Sequence, residues 1–127
     1  MKVIRGAICA QNTAESISEN ALLLVSSILK RNNLSADSVS AVFFSATADL
    51  DACYPATAVR RQLLPEASFM CFREMDVKNS LPNCLRVAVF ADVPKGLPDR
   101  EAGIVVGQTA VHCYIGEAKK LRPDIDG

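Results

Sequence analysis

The sequence predicts an α+β fold, one long helix packed against a sheet of four to six strands, on three observations. The chain has 127 residues, half of them apolar, which suits a single domain with its own core. One stretch carries a sustained helical repeat of apolar side chains. The other apolar runs are short, rich in Val, Ile and Phe, and bounded by Asn, Asp, Pro and Gly.

Val3 to Cys9 reads as the first strand, with Arg5 in an apolar context, and Gln11 and Asn12 break it. Thr13 is a good helix N-cap. Behind it Ile17, Ala21, Leu24 and Ile28 recur at helical spacing, while Glu15, Glu19, Lys30 and Arg31 take the other side, predicting an amphipathic helix of about five turns. Asn32 and Asn33 end it, Ser35 caps a short turn, and Val39 to Ala46 is the second strand. The chain turns through Asp49 and Asp51 and restarts as a short helix after Pro55, a residue suited to a first helical turn; Arg60 and Arg61 sit on it. Ser68 to Phe72 is the third strand, Glu74 to Asn83 an irregular connection, and Cys84 to Ala91 a fourth strand that Arg86 interrupts. Pro94, Gly96 and Pro98 mark a loop, and Gly103 to Ile115 is apolar enough for one or two more strands, with Gly107 a bulge or turn. The charged tail from about residue 117 is expected to be mobile. A small sheet covered by one helix leaves its other face bare, so self-association is expected to bury that face.

Charge and cysteine usage exclude several functions. Fourteen basic and fourteen acidic residues cancel, so no global field favours nucleic acid or an acidic membrane, and an anion site must be built from local arginines. Five cysteines with no CxxC pair read as reduced thiols. His112 is the only histidine, so no structural zinc site is expected, and we read it as structural rather than catalytic. No apolar run has the length of a signal peptide or membrane span, which points to a cytoplasmic protein.

The richest stretch chemically is CFREMDVKNSLPNCLRVAVF, Cys71 to Phe90. Glu74 and Arg86 flank apolar runs, and a charge near a core must be paired, hydrogen-bonded or matched to a ligand. On pattern alone they pair with each other or lie on a solvated face. By the same reasoning Arg5 and Arg60 are surface or interface ion pairs, Cys71 a core thiol, Tyr54 and Phe69 core, and Tyr114 a strand residue with a satisfied hydroxyl.

Six stretches in order alter that reading: IRGA at Ile4 to Ala7, SATADL at Ser45 to Leu50, YPATAVR at Tyr54 to Arg60, REMDV at Arg73 to Val77, CLRV at Cys84 to Val87 and LRPD at Leu121 to Asp124. Together they resemble the AroH class of chorismate mutases over nearly the whole chain. The resemblance implies a single domain over residues 1–127 with a mixed five- to six-stranded sheet packed on one long helix. It also implies a homotrimer of pseudo-α/β-barrel form, with active sites in clefts between subunits. The implied reaction converts chorismate to prephenate by a unimolecular [3,3] rearrangement, which needs no cofactor or metal.

The resemblance also implies roles. Arg86 would hydrogen-bond the breaking ether oxygen, Arg5 with Tyr114 would clamp the enolpyruvyl carboxylate, and Glu74 with Cys71 would orient the ring hydroxyl. Tyr54, Ala56, Phe69 and Leu121 would supply apolar surface, with Arg60 and Arg122 guiding or covering the anion. Three features depart from the family pattern: Thr57 stands where a lysine is common, Phe69 and Met70 are bulkier than usual wall residues, and the Lys95 to Gln108 stretch is long. These departures leave an alternative: a trimeric carboxylate-binding or regulatory module of the same fold with weak catalysis.

Overall fold

The helical repeat behind Thr13 forms α1 (Ala14–Arg31) in the computed structural model, which describes residues 1–93 and 111–121. The Thr13 hydroxyl accepts the Ser16 N–H at 3.0 Å, satisfying one orphan donor of the first turn. Glu15 at the start and Lys30 and Arg31 at the end complement the helix dipole. Ile17, Ala21, Leu24, Val25 and Ile28 are buried along one stripe.

The strands are β1 (Lys2–Cys9), β2 (Val39–Ala46), β3 (Ser68–Arg73), β4 (Cys84–Ala91) and β5 (Cys113–Tyr114), with α2 (Ala56–Gln62) between β2 and β3. Among the described residues they make one five-stranded sheet in the order β3-β2-β4-β1-β5. It is mixed: β4 runs antiparallel to β1 and β2, while β3 is parallel to β2 and β5 parallel to β1. The expected loop at Pro94 to Pro98 and the run Gly103 to Ala110, including Gly107, lie outside the described residues. Gly116–Leu121, where the tail was expected to begin, forms a 3-10 turn with Ala118 fully buried.

Alternation along the strands assigns the two sheet faces. Ile4, Ile8, Val42, Phe44, Leu85, Val87, Val89 and Ala91 form one core with the α1 stripe and with Ala56 and Val59 of α2. Gly6 is where helix and sheet come closest. A Cβ there would lie 2.6 Å from the Cys113 carbonyl oxygen and about 3 Å from the Leu24 and Ile28 methyls, so a side chain has no room.

The opposite face carries Val3, Arg5, Ala7, Phe43, Ser45, Met70, Phe72, Arg86, Ala88 and Phe90. Among the described residues it is covered only at one end, where Ala7, Cys84, Tyr114 and Ala118 form a second small cluster with Leu81 and Leu121 beside it. Elsewhere Val3, Met70 and Phe72 remain exposed, and Phe43 touches the rings of Phe72 and Phe90 at centroid distances of 5.7 and 5.0 Å.

Two polar contacts fix the C-terminal segment. Asn32, buried just past α1, donates to the carbonyls of Ile28 (2.9 Å) and Val111 (3.0 Å) and accepts the Val111 N–H at 2.7 Å. Its amide thus pairs with Val111 as a neighbouring strand would. His112 Nδ1 accepts the backbone N–H of Arg5 at 2.9 Å, a structural role at the sheet edge. All five cysteines are free thiols. No described helix is long and apolar enough to cross a membrane.

Candidate active site

Cross-strand register builds a row of side chains on the sheet face opposite α1. Phe72 of β3, Ser45 of β2, Arg86 of β4, Ala7 of β1 and Tyr114 of β5 are successive partners. Two residues along, Met70, Phe43, Ala88 and Arg5 form the next row. Adjacent strands stand about 4.8 Å apart, so Arg86 and Tyr114 flank Ala7 at roughly 10 Å, with only a methyl group between them. Ala7 is fully buried and Tyr114 nearly so in the cluster with Ala118, so the accessible end of the row is Phe72, Ser45 and Arg86. Arg5 stands diagonal to Arg86 across β1 and β4.

Glu74 closes one side. Its backbone N–H donates to the Ala46 carbonyl at 2.9 Å, extending the β2–β3 pairing by one residue and directing its side chain over the uncovered face. The Glu74 Oε1 accepts a short hydrogen bond from Ser45 Oγ, and its Oε2 lies 3.9 Å from Arg86 Nη1. The second contact is longer than a hydrogen bond, so the guanidinium keeps its donors for another acceptor. The start of β4 is held independently. Asp49 accepts the Asn83 N–H, and the Thr47 hydroxyl accepts the Cys84 N–H at 2.9 Å.

The thiols near these groups stay protonated at neutral pH. Burial pushes the Cys84 thiol up to about 11, with neighbouring Cys9 adding to the rise and Arg86 opposing it. Burial likewise raises Cys9 and Cys71, and an Ala56 backbone hydrogen bond partly offsets the rise at Cys71. A thiol shifted this way is a poor nucleophile.

A second group of residues lines a hollow of about 900 Å3 between α2, the preceding turn and the C-terminal end of β3. Tyr54, Thr57, Ala58, Arg61, Cys71 and Arg73 face it. Tyr54 is 72% exposed there.

The expected site residues therefore divide. Arg5, Glu74, Arg86 and Tyr114 lie on the same sheet face, the first three on its uncovered part and Tyr114 buried in the end cluster with half-buried Leu121 packed against it. Tyr54, Thr57 and Cys71 share the hollow, because Cys71 pairs with core-facing Phe44 and so points away from the Arg86 face. Three expected residues are in neither group. Ala56 is buried in the core, Phe69 packs against that core from the helix side of β3, and Arg60 is an exposed α2 residue outside the lining of the hollow. Met70 lies on the uncovered face, 53% exposed, and Arg122 lies outside the described residues.

Ser45, Cys84, Arg61 and Arg73 stand beside the expected residues without having been expected themselves. Ser45 required the β2–β4 register; Arg61 required the rotation of α2. The latter had a sequence signal, since positions 54, 58 and 61 recur at helical spacing.

Comparison with known proteins gives the family and the fold. The family model for chorismate mutase type I matches residues 1–125. Among the relatives, chorismate mutase AroH of Thermus thermophilus is 33% identical over 127 residues, spanning 97% of this chain and 94% of that protein. Chorismate mutase AroH of Bacillus subtilis (strain 168) is 33% identical over 129 residues, spanning 96% and 90%. The solved structure of a chorismate mutase from Clostridium thermocellum superposes with a TM-score of 0.81 at 31% identity, covering 94% of this chain and 99% of its own. A mixed sheet backed by one long helix, an arginine pair on its open face and a full-length match to the family lead to one conclusion: this chain belongs to the type I, AroH-class chorismate mutases.

Proposed function

We propose that the chain converts chorismate to prephenate in a cleft formed where the Arg86 face of one subunit meets the Tyr54–Cys71 hollow of the next, within a homotrimer. It is an isomerase of aromatic amino acid biosynthesis. Its rearrangement breaks one C–O bond and forms one C–C bond in a single pericyclic step, so it requires neither nucleophile nor proton transfer, in keeping with thiols held protonated by burial.

The observation that carries the reading is the grouping of Arg5, Arg86 and Glu74 on the uncovered part of one sheet face. The enzyme must hold a flexible dicarboxylate in a compact chair and stabilise negative charge on the ether oxygen as its bond to the ring breaks. Arg86 takes the ether oxygen, using donors that the 3.9 Å Glu74 contact leaves available. Arg5 and the Tyr114 hydroxyl take the enolpyruvyl carboxylate through paired donors. Glu74, oriented by Ser45, accepts the ring hydroxyl, and Cys71 of the adjoining subunit forms part of the wall. Tyr54, Thr57 and Leu121 line the ring, and Arg60, outside the hollow, guides the anion only by its charge.

Two observations support the trimer: the exposed apolar face bearing Val3, Met70 and Phe72, and the split of the expected residues over two surfaces of one chain. Five free thiols support a reducing, cytoplasmic setting.

The test follows chorismate absorbance with the purified protein and with Arg86→Ala and Glu74→Ala. Wild type should accelerate the reaction, and Arg86→Ala should lower kcat by about 10²- to 10³-fold, the usual cost of one preorganised donor. A folded but inactive wild type would instead leave a carboxylate-binding module. Wild-type-like turnover in Arg86→Ala would remove the electrostatic mechanism.

A further inference from the structure

We propose that Arg61 and Arg73 form a second cationic pair that binds a carboxylate of the substrate from the hollow side of the cleft, where the resemblance had implied that Arg60 guides or covers the anion. This inference rests on the chorismate mutase reading and adds two specificity-determining residues to it.

The rotation of α2 carries the argument. The helix turns Thr57, Ala58, Arg61 and Gln62 toward the hollow, an i, i+4 stripe that continues from Tyr54, and it buries Ala56 and Val59 in the core. Arg60 follows Val59 around the helix and does not line the hollow. Arg73 reaches the same space from β3, two residues after Cys71 and on the same side of the strand. Both guanidinium groups belong to exposed residues and make no ion pair with a described residue. The one carboxylate in the lining, Asp51, accepts a hydrogen bond from Asn12 Nδ2 at 2.8 Å. The hollow therefore has free positive charge and a largely committed negative one.

Charge balance supplies the reason. On the Arg86 face, two arginines meet a substrate with two carboxylates while Glu74 adds a third negative charge, so that half-site alone is under-neutralised. Thr57 contributes no cation. Arg61 and Arg73, brought against the Arg86 face of the next subunit, supply the missing charge where Tyr54 and Cys71 form the wall. Their planar forks suit a carboxylate better than a lysine would.

Steady-state kinetics of the full-length protein test this with Arg61→Ala, Arg73→Ala and the double variant, beside Lys30→Ala, the same charge change at the far end of α1. Each hollow variant should raise KM about five- to tenfold with kcat within about threefold, as expected for partly solvated charge pairs that act on binding. Lys30→Ala should leave KM within twofold. The ionic-strength dependence of kcat/KM should be shallower in the double variant than in wild type, and Arg61→Lys should recover part of the loss. An active wild type whose KM is unchanged in both Arg61→Ala and Arg73→Ala overturns the pair. Calorimetric titration with prephenate separates that failure from failure of the activity reading. A wild type that binds prephenate without turnover, with at least fivefold weaker binding in the variants, supports the pair while overturning the mutase; equal binding overturns the pair. A folded wild type that neither turns over nor binds overturns both.

Discussion

Glu74 holds two contacts of different quality, and their difference bears on the proposed mechanism. The Ser45 hydroxyl donates a short hydrogen bond to one carboxylate oxygen, whereas Arg86 lies 3.9 Å from the other. Ser45 thus holds the carboxylate back from a closer ion pair that would tie up the guanidinium. Ser45→Ala should release Glu74 toward Arg86 and lower kcat by about 10- to 20-fold, the low end of the range for a lost hydrogen bond to a charged group, with the melting temperature nearly unchanged. A double-mutant cycle with Glu74→Gln should show coupling above about 1 kcal/mol in the activation free energy; additive effects would mean that Ser45 acts elsewhere. On pattern alone Arg86 and Glu74 read as partners of each other or as solvated charges, and only the resemblance to AroH-class chorismate mutases marked them as candidate site residues. Ser45 was not marked, since a hydroxyl in a strand is ordinary until its register neighbour is known.

At the scale of elements, β5 is too short to hold itself in place. Its two residues pair with Gly6 and Ala7, and Asn32 at the end of α1 holds the adjoining Val111 through both backbone groups. Asn32→Ala leaves the partly buried amide of Val111 without its partner, a cost of about 1–3 kcal/mol, and should lower the melting temperature by roughly 5–10 °C. Because Tyr114 follows on the same segment, KM should rise as well; a destabilised variant with unchanged KM would show that β5 keeps its place without Asn32. The bounds of β1 to β4 and α1 were readable to within about a residue, since apolar period, caps and breakers are local signals. The Asn32 contact joins residues 79 apart in sequence, beyond the reach of any local signal.

At the scale of the whole molecule, helix and sheet bury one face of the sheet and leave much of the other exposed among the described residues, the face on which the proposed trimer would close. Light scattering at micromolar protein should give three chain masses, and Phe72→Asp, which places a charge on the exposed apolar face, should shift the mass toward one chain and abolish activity together. A variant that stays trimeric and active would remove that face from the interface. The sequence by itself determined the α+β class, the amphipathic helix and the strand bounds, because periodicity and capping act over a few residues, while the candidate site residues came from the resemblance to a family. Only the tertiary structure decided the strand order β3-β2-β4-β1-β5, the row from Ser45 through Arg86 and Ala7 to Tyr114, and the separation of Cys71 and Tyr54 from Arg86. The physical reason is that cross-strand register and helix rotation are set by long-range packing, and a shift of one residue moves a side chain to the other face.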